Sequence, residues 1–259
     1  MTSITTGQFK AYSLDDLESL RSNGVSPTIE THKGVQCVKL VPSPEVEHSD
    51  GPTFAILKDS NFHNGIIEIS LSGTEPEDTA SKSFFGDFVG IGFRIKSDAS
   101  DLNPKLNSEI NPENVAKFEC IYFRPGHGSD DDQLTRNHAI QYFSYPNNLF
   151  NSLRKEYLRQ EQLKQEQTQQ NNLNPQSPQI TVIKPKIYEA YAPIKRDQWF
   201  RIRIEVKGET AKLYVDGAAE PSLIVSDLKL GDSRGAIGLF VERECVAYFS
   251  DLKITYYDD

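Results

Sequence analysis

Between Gln198 and Val241 apolar and polar residues alternate with a period of two. Phe200, Ile202, Ile204 and Val206 interleave with Arg201, Arg203, Glu205 and Lys207, the pattern of a strand with one buried face. Gly208-Glu209 turns the chain, Leu213 and Val215 resume the alternation, and Asp216-Gly217 marks the next turn, so this stretch predicts a β-hairpin. Leu223 to Val225 and Ala236 to Val241 predict a second pair of strands around the turn residues Gly231 to Gly235. The same strand signature occurs at Gln8 to Tyr12, Gln36 to Val41, Thr53 to Leu57, Ile66 to Leu71, Phe84 to Lys96, Phe118 to Arg124, His138 to Tyr145 and Val246 to Tyr256. Breakers such as Pro42-Ser43-Pro44, Asp50-Gly51-Pro52 and Asn64-Gly65 separate these runs. Roughly a dozen short strands with turn signals between them predict an all-β sandwich or jelly roll.

Two stretches depart from this period. Ser13 followed by Leu14, Leu17 and Leu20, with acids in the first turn, predicts a short helix over residues 13–21. Leu149, Phe150, Leu153 and Tyr157 recur at three and four residues behind Asn148, which predicts a second helix over about 148–166. Residues 160–179 then carry eight Gln with several Asn and Pro, a composition that buries little surface. We read 158–187 as a flexible Gln/Asn-rich insertion within a single domain spanning 1–259, because neither flanking half has enough strands to close a sandwich alone. Residues 98–116 read as a second polar loop.

A net charge of -9, with no dense run of Lys or Arg, argues against nucleic acid as a partner. No run of 18 apolar residues and no basic, apolar leader occurs in the sequence, so a soluble, cytoplasmic chain without membrane contact is expected. The three cysteines, Cys37, Cys120 and Cys245, lack metal-site or disulfide spacing and read as buried thiols.

Candidate chemistry gathers on the central strands. Gly90 and Gly92 share a predicted face with Arg94 and Lys96, which suggests either an open, positively lined surface or a close approach of backbone. Tyr122 and Arg124 share a face of their strand, His138 and Tyr142 share one on theirs, and Glu119 and Gln141 have the opposite parity, so alternation alone does not place all of them in one pocket. The loop Gly126 to Asp132 is a candidate for Ca²⁺ through Asp130, Asp131 and Asp132, although without spaced EF-hand ligands such a turn is more often solvated surface.

The strings FVGIGFRIKSD (88–98), FECIYFRP (118–125) and RNHAIQY (136–142), followed by DQWFRIRIEVKGETAKLYVDG and the ending SDLKI, resemble the concanavalin A-like lectin/glucanase superfamily. Within it the chain is most similar to the bacterial 3-keto-disaccharide hydrolase-type domain family. The resemblance implies a jelly-roll sandwich of two antiparallel sheets whose concave face holds carbohydrate, lined by Arg94, Tyr122, Arg124, His138, Gln141 and Tyr142. It implies as an alternative a glycan-processing enzyme in which Glu119 or His138 removes a proton beside a keto group and Arg124 steadies the enolate. The ExDxxE strand of the glucanase members does not occur here, which weakens the hydrolase reading. A third alternative is a non-catalytic interaction domain that uses the Gln-rich insertion to hold a protein partner.

Overall fold

The computed structural model describes residues 7–44, 51–75, 88–96, 116–176, 178–242 and 245–258. The chain begins with β1 (Gly7–Tyr12), β2 (Leu20–Asn23), β3 (Val25–His32), β4 (Val35–Pro42), β5 (Phe54–Leu57), β6 (Gly65–Thr74), β7 (Phe88–Lys96) and β8 (Lys117–Phe123). Two single helical turns follow, α1 (Pro125–Gly128) and α2 (Gln133–Arg136). They lead into β9 (Ile140–Tyr145), the long helix α3 (Phe150–Leu173) and the two-residue β10 (Glu189–Ala190). The chain closes with β11 (Phe200–Lys207), β12 (Thr210–Val215), β13 (Leu223–Val225), β14 (Ala236–Glu242) and β15 (Val246–Tyr257). The polar loop read at 98–116 lies almost wholly outside the described residues.

These strands form two antiparallel sheets. The first is ordered β13-β12-β11-β6-β15-β4-β3, with β1 added beside β15, and the second is ordered β10-β9-β8-β7-β14-β5-β2. The predicted hairpin is β11-β12, with Ile202 opposite Val215 and Val206 opposite Ala211. At its turn Gly208 takes φ 56, a value that costs glycine little. The fold is an all-β sandwich.

Register assigns side chains to faces. Phe123 of β8 packs against Phe200 of the first sheet with ring centroids 5.2 Å apart, so it points into the sandwich. Val89 and Ile140 stand opposite Phe123, and Ile91 and Tyr142 stand opposite Ile121 two residues along, so they share that inner face. The outer face of the second sheet is also apolar: Phe54, Phe118, Tyr122, Phe143 and Phe240 form a connected set of ring contacts there. Each of these rings is at most 1 % exposed, and burying such a ring contributes about 1.5–3 kcal/mol. Phe150 from the start of α3 joins them, 6.5 Å from Tyr122. The hollow that the resemblance implied on this side is therefore packed with side chains.

The two glycines of β7 belong to this packing. A Cβ on Gly90 would lie 2.5 Å from the Ile121 carbonyl oxygen, and one on Gly92 would lie 2.5 Å from the Phe54 ring. Of the two sequence readings, close approach is the one realised, and no open strip lies over the backbone.

The helix expected at 13–21 does not form. Leu14 takes φ 53 with its side chain buried, the Asp16 carboxylate accepts the Glu18 N–H at 2.8 Å, and the Leu20 N–H closes a turn on the Leu17 carbonyl at 3.0 Å. Short acidic side chains satisfy the backbone here in a non-helical way, and Leu20 enters β2 opposite Leu57. The second helix exceeds its expected end and runs to Leu173. Its first helical residue is Phe150, because Asn148 is engaged in two backbone hydrogen bonds with Ser144 at 2.9 Å each.

The Gln-rich stretch has a definite geometry. Gln160, Gln167 and Asn171 lie on one face of α3, and the chain returns along that face as an extended strap. Gln160 Oε1 accepts the Lys186 N–H at 2.9 Å, Gln167 Oε1 accepts the Ile183 N–H at 3.0 Å, and Asn171 both accepts from and donates to Ile180 backbone at 2.8 Å. Strap residues spaced by three meet helix residues spaced by about one or two turns. This pairing carries the strap from the tip of α3 back to β10.

Candidate functional site

A cleft of about 450 Å³ opens where α3, the strap and the turn after α2 meet at the edge of the second sheet. Helix α3 contributes Phe150, Leu153, Arg154, Tyr157 and Leu158, which recur at three and four residues and so face one side. The strap and β10 contribute Ile187 to Tyr191, and the α2 turn contributes Leu134, Asn137 and His138. The rim is apolar and open to solvent: Leu134 is 71 % exposed, Leu158 58 %, Ile187 54 % and Tyr191 43 %. Four large hydrophobic side chains left in water around one depression are unusual for a structural edge and mark a surface suited to a ligand.

At the centre stands a hydrogen-bonded chain of three side chains. His138 Nδ1 lies 2.6 Å from Glu189 Oε2, and Arg154 Nη2 lies 2.7 Å from His138 Nε2. A guanidinium only donates, so Nε2 is the acceptor and the imidazole proton sits on Nδ1, donated to Glu189. The Glu189 carboxylate orients the imidazole. Glu189 stands opposite Gln141 in the β9-β10 pairing, which fixes it at the sheet edge.

A second network closes the inner side behind the cleft wall. Tyr142 stacks on Tyr188 with centroids 5.8 Å apart, and its hydroxyl donates to Glu119 Oε2 at 2.6 Å while accepting the Lys229 N–H at 2.9 Å. The other Glu119 oxygen accepts the Leu230 N–H at 2.7 Å. Lys229 Nζ donates to the Tyr188 hydroxyl at 2.8 Å and to Asp227 at 2.7 Å. Burial pushes the Glu119 carboxyl above its ordinary range, and burial together with the neighbouring Glu119 pushes the Tyr142 phenol up as well.

The residues singled out from the sequence separate into three places. Arg94, Glu119 and Tyr142 are fully or almost fully buried on the inner side. Arg94 leaves the regular face of β7 because the strand bulges there: it takes φ 54, and the register with β8 shifts between Phe93 and Lys96. Its guanidinium donates to the carbonyls of His63, Gly208 and Gly231 and to Asn64 Oδ1, which ties three loops together. Tyr122 and Gln141 stand opposite each other on the outer face, both 1 % exposed. Arg124 lies over the Phe88 ring at 5.0 Å. His138 alone lines the cleft. The single open concavity expected for the six ligand residues is thus absent, and Glu119, sealed by Tyr142 and Leu230, does not line the cleft with His138.

The acidic turn is a helix cap. Asp132 Oδ2 accepts the Thr135 N–H at 2.8 Å and its hydroxyl at 2.9 Å, Asp130 Oδ1 accepts the Asp132 N–H at 2.8 Å, and Arg136 binds the carbonyls of Asp130 and Asp131. Among the described residues no three His, Cys, Asp or Glu side chains gather as a metal site. Also among them, no helix is long and apolar enough to cross a membrane.

Arg154, Tyr157, Tyr188, Glu189 and Tyr191 were not singled out as ligand residues from the sequence. Their signal was present in the helical spacing of Phe150, Leu153 and Tyr157 and in the string YEAY at 188–191, next to the Gln-rich stretch.

No family model matches the chain, and no curated protein matches it. Among solved structures it is similar in outline to a Bacillus subtilis protein of unknown function with a galectin-like fold, at 10% identity and a TM-score of 0.49, covering 97% of this chain and 100% of that one. It is also similar to the carbohydrate binding module CBM66 from Bacillus subtilis, at 14% identity and a TM-score of 0.44 over 90% of this chain and 96% of that one. A lectin from Bauhinia forficata in complex with GalNAc gives 8% identity and a TM-score of 0.43 over 96% and 98%. These likenesses describe general shape, and they assign neither a residue nor an activity to this chain.

Proposed function

We propose that the chain binds carbohydrate in the cleft between α3 and the strap. The observation that carries this reading is the joining of exposed apolar and aromatic walls to a polar centre. Tyr157, Tyr191, Leu158 and Ile187 surround His138, Glu189, Arg154 and Asn137. A sugar ring has C–H faces that pack on tyrosine and aliphatic side chains and hydroxyls that need donors and acceptors at fixed positions. The imidazole, the carboxylate and the guanidinium supply both kinds. A screen of the full chain on a glycan array, with wild type beside Tyr157→Ala and His138→Ala, tests the reading: wild type binds a defined subset of glycans and both variants lose that subset. Binding that survives both substitutions, or no glycan bound by wild type, overturns it.

One observation favours a second reading. The Glu189-His138 pair orients an imidazole as a general base requires, with Nε2 free to take a proton once Arg154 exchanges its hydrogen bond there for one to the substrate. On a 3-keto-glycoside, the base would take the proton from the carbon beside the keto group, and the glycosidic substituent would leave from the next carbon. Glu189 then orients the base, and of the two candidate bases, Glu119 and His138, the one in the cleft is His138. Incubation with 3-keto-glucosides and analysis of the released aglycone checks this: release that His138→Gln abolishes supports it, and no release by wild type removes it.

A further inference from the structure

Among the described residues, Arg154 lines the cleft with no carboxylate paired to it. Among the described residues its guanidinium meets the imidazole of His138 by one hydrogen bond at 2.7 Å, and no carboxylate forms an ion pair with it. The one carboxylate that lines the cleft, Glu189, is engaged on the far side of the same imidazole. Two other cations of this region do have carboxylate partners: Lys229 pairs with Asp227 and Arg159 with Glu156. Arg154 is exposed, sits one helical turn from both Phe150 and Leu158, and keeps most of its five N–H donors free for an incoming group. A planar fork of donors beside an aromatic and aliphatic wall matches a planar, charged acceptor attached to a ring.

We propose that the cleft selects an acidic saccharide, one whose ring carries a carboxylate, and that Arg154 is the residue that reads the charge. This rests on the carbohydrate reading of the cleft and adds its specificity. The sugar ring packs between Tyr157 and the strap while its carboxylate accepts from Arg154, and hydroxyls on the far edge meet Asn137 and Glu189. The chain's net charge of -9 opposes an anion only weakly at this point, because at physiological salt charges separated by more than about 8 Å are largely screened. A charge-assisted fork in a partly enclosed cleft acts at contact distance.

The test uses matched pairs of ligands. Oligosaccharides of glucuronate, galacturonate and mannuronate are titrated calorimetrically into the full chain beside their methyl-esterified, uncharged counterparts, with wild type and Arg154→Gln. The expected result is a preference of about tenfold or more for the acidic form of at least one pair in wild type, the size of one charge-assisted contact. In Arg154→Gln the ratio of acidic to esterified affinity falls to about one, since no formal charge remains to read the carboxylate. Equal affinities in wild type, or a preference that survives in the variant, overturn the inference and leave the carbohydrate reading standing. If neither these ligands nor any neutral glycan binds, both fall together.

Discussion

Arg94→Ala is expected to cost the sandwich a large part of its stability. The guanidinium is 0 % exposed and donates to the carbonyls of His63, Gly208 and Gly231 and to Asn64 Oδ1, at 2.6 to 3.3 Å. Truncation leaves three main-chain acceptors without a donor, and each such group costs about 1–3 kcal/mol when it stays dry. Entry of water into the space lowers that sum to about 3–5 kcal/mol, the range of a lost buried hydrogen-bond network. For a chain of this size, a loss near 4 kcal/mol lowers the melting temperature by roughly 10 °C. Urea unfolding followed by Trp199 fluorescence and far-UV circular dichroism measures it. Arg94→Met separates the causes, because it keeps most of the buried stem and removes every donor. If Arg94→Met recovers most of the lost stability, packing of the stem and not the carbonyl network is what matters, and the reasoning is refuted. A change below about 1 kcal/mol in Arg94→Ala refutes it as well.

Three further outcomes follow from other parts of the molecule. Burial raises the folded Glu119 pKa above its ordinary value, so between the unfolded and folded values the native state holds the extra proton and stability falls as pH rises through that window. Glu119→Gln should flatten the slope of urea midpoint against pH above about 4.5, and an unchanged slope would show that another group sets it. Gly92→Ala places a methyl 2.5 Å from the Phe54 ring and should destabilise by about 1–3 kcal/mol through overpacking, with neutrality in thermal melts counting against the packed outer face. The double variant Gln167→Ala, Asn171→Ala removes three hydrogen bonds that hold the strap. It should speed amide exchange at Ile180 and Ile183 and leave the sheets protected, and unaltered exchange would deny those side chains their clamping role.

The layers of this fold were legible because two-residue alternation reports one buried face, and Phe200 to Val215 pairs as the pattern implies. The second sheet was harder to read. Its strands are buried on both faces, so Gly90 and Gly92 looked like gaps when their missing side chains make room for Tyr122 and Phe54. Arg94 misled for a local reason: a bulge, invisible to parity, rotates it inward. The helix at 13–21 failed because Ser and Asp near a helix start serve equally well in turns, and sheet pairing of Leu20 decided between them. His138 was found from the sequence, but its partners Glu189 and Arg154 lie 51 and 16 residues away, beyond the reach of local spacing. Composition hid the rest: Gln and Asn bury little surface by themselves, yet Gln160, Gln167 and Asn171 fall on one helix face and bond a returning backbone.

On the function proposed above, ligand enters between α3 and the strap and not over a sheet face. Hydrogen exchange read by mass spectrometry, with and without the glycan that binds best on the array, locates it. Protection confined to peptides covering 134–138, 150–158 and 187–191 is expected. Protection over β3, β4 and β15 with those peptides unchanged would contradict it.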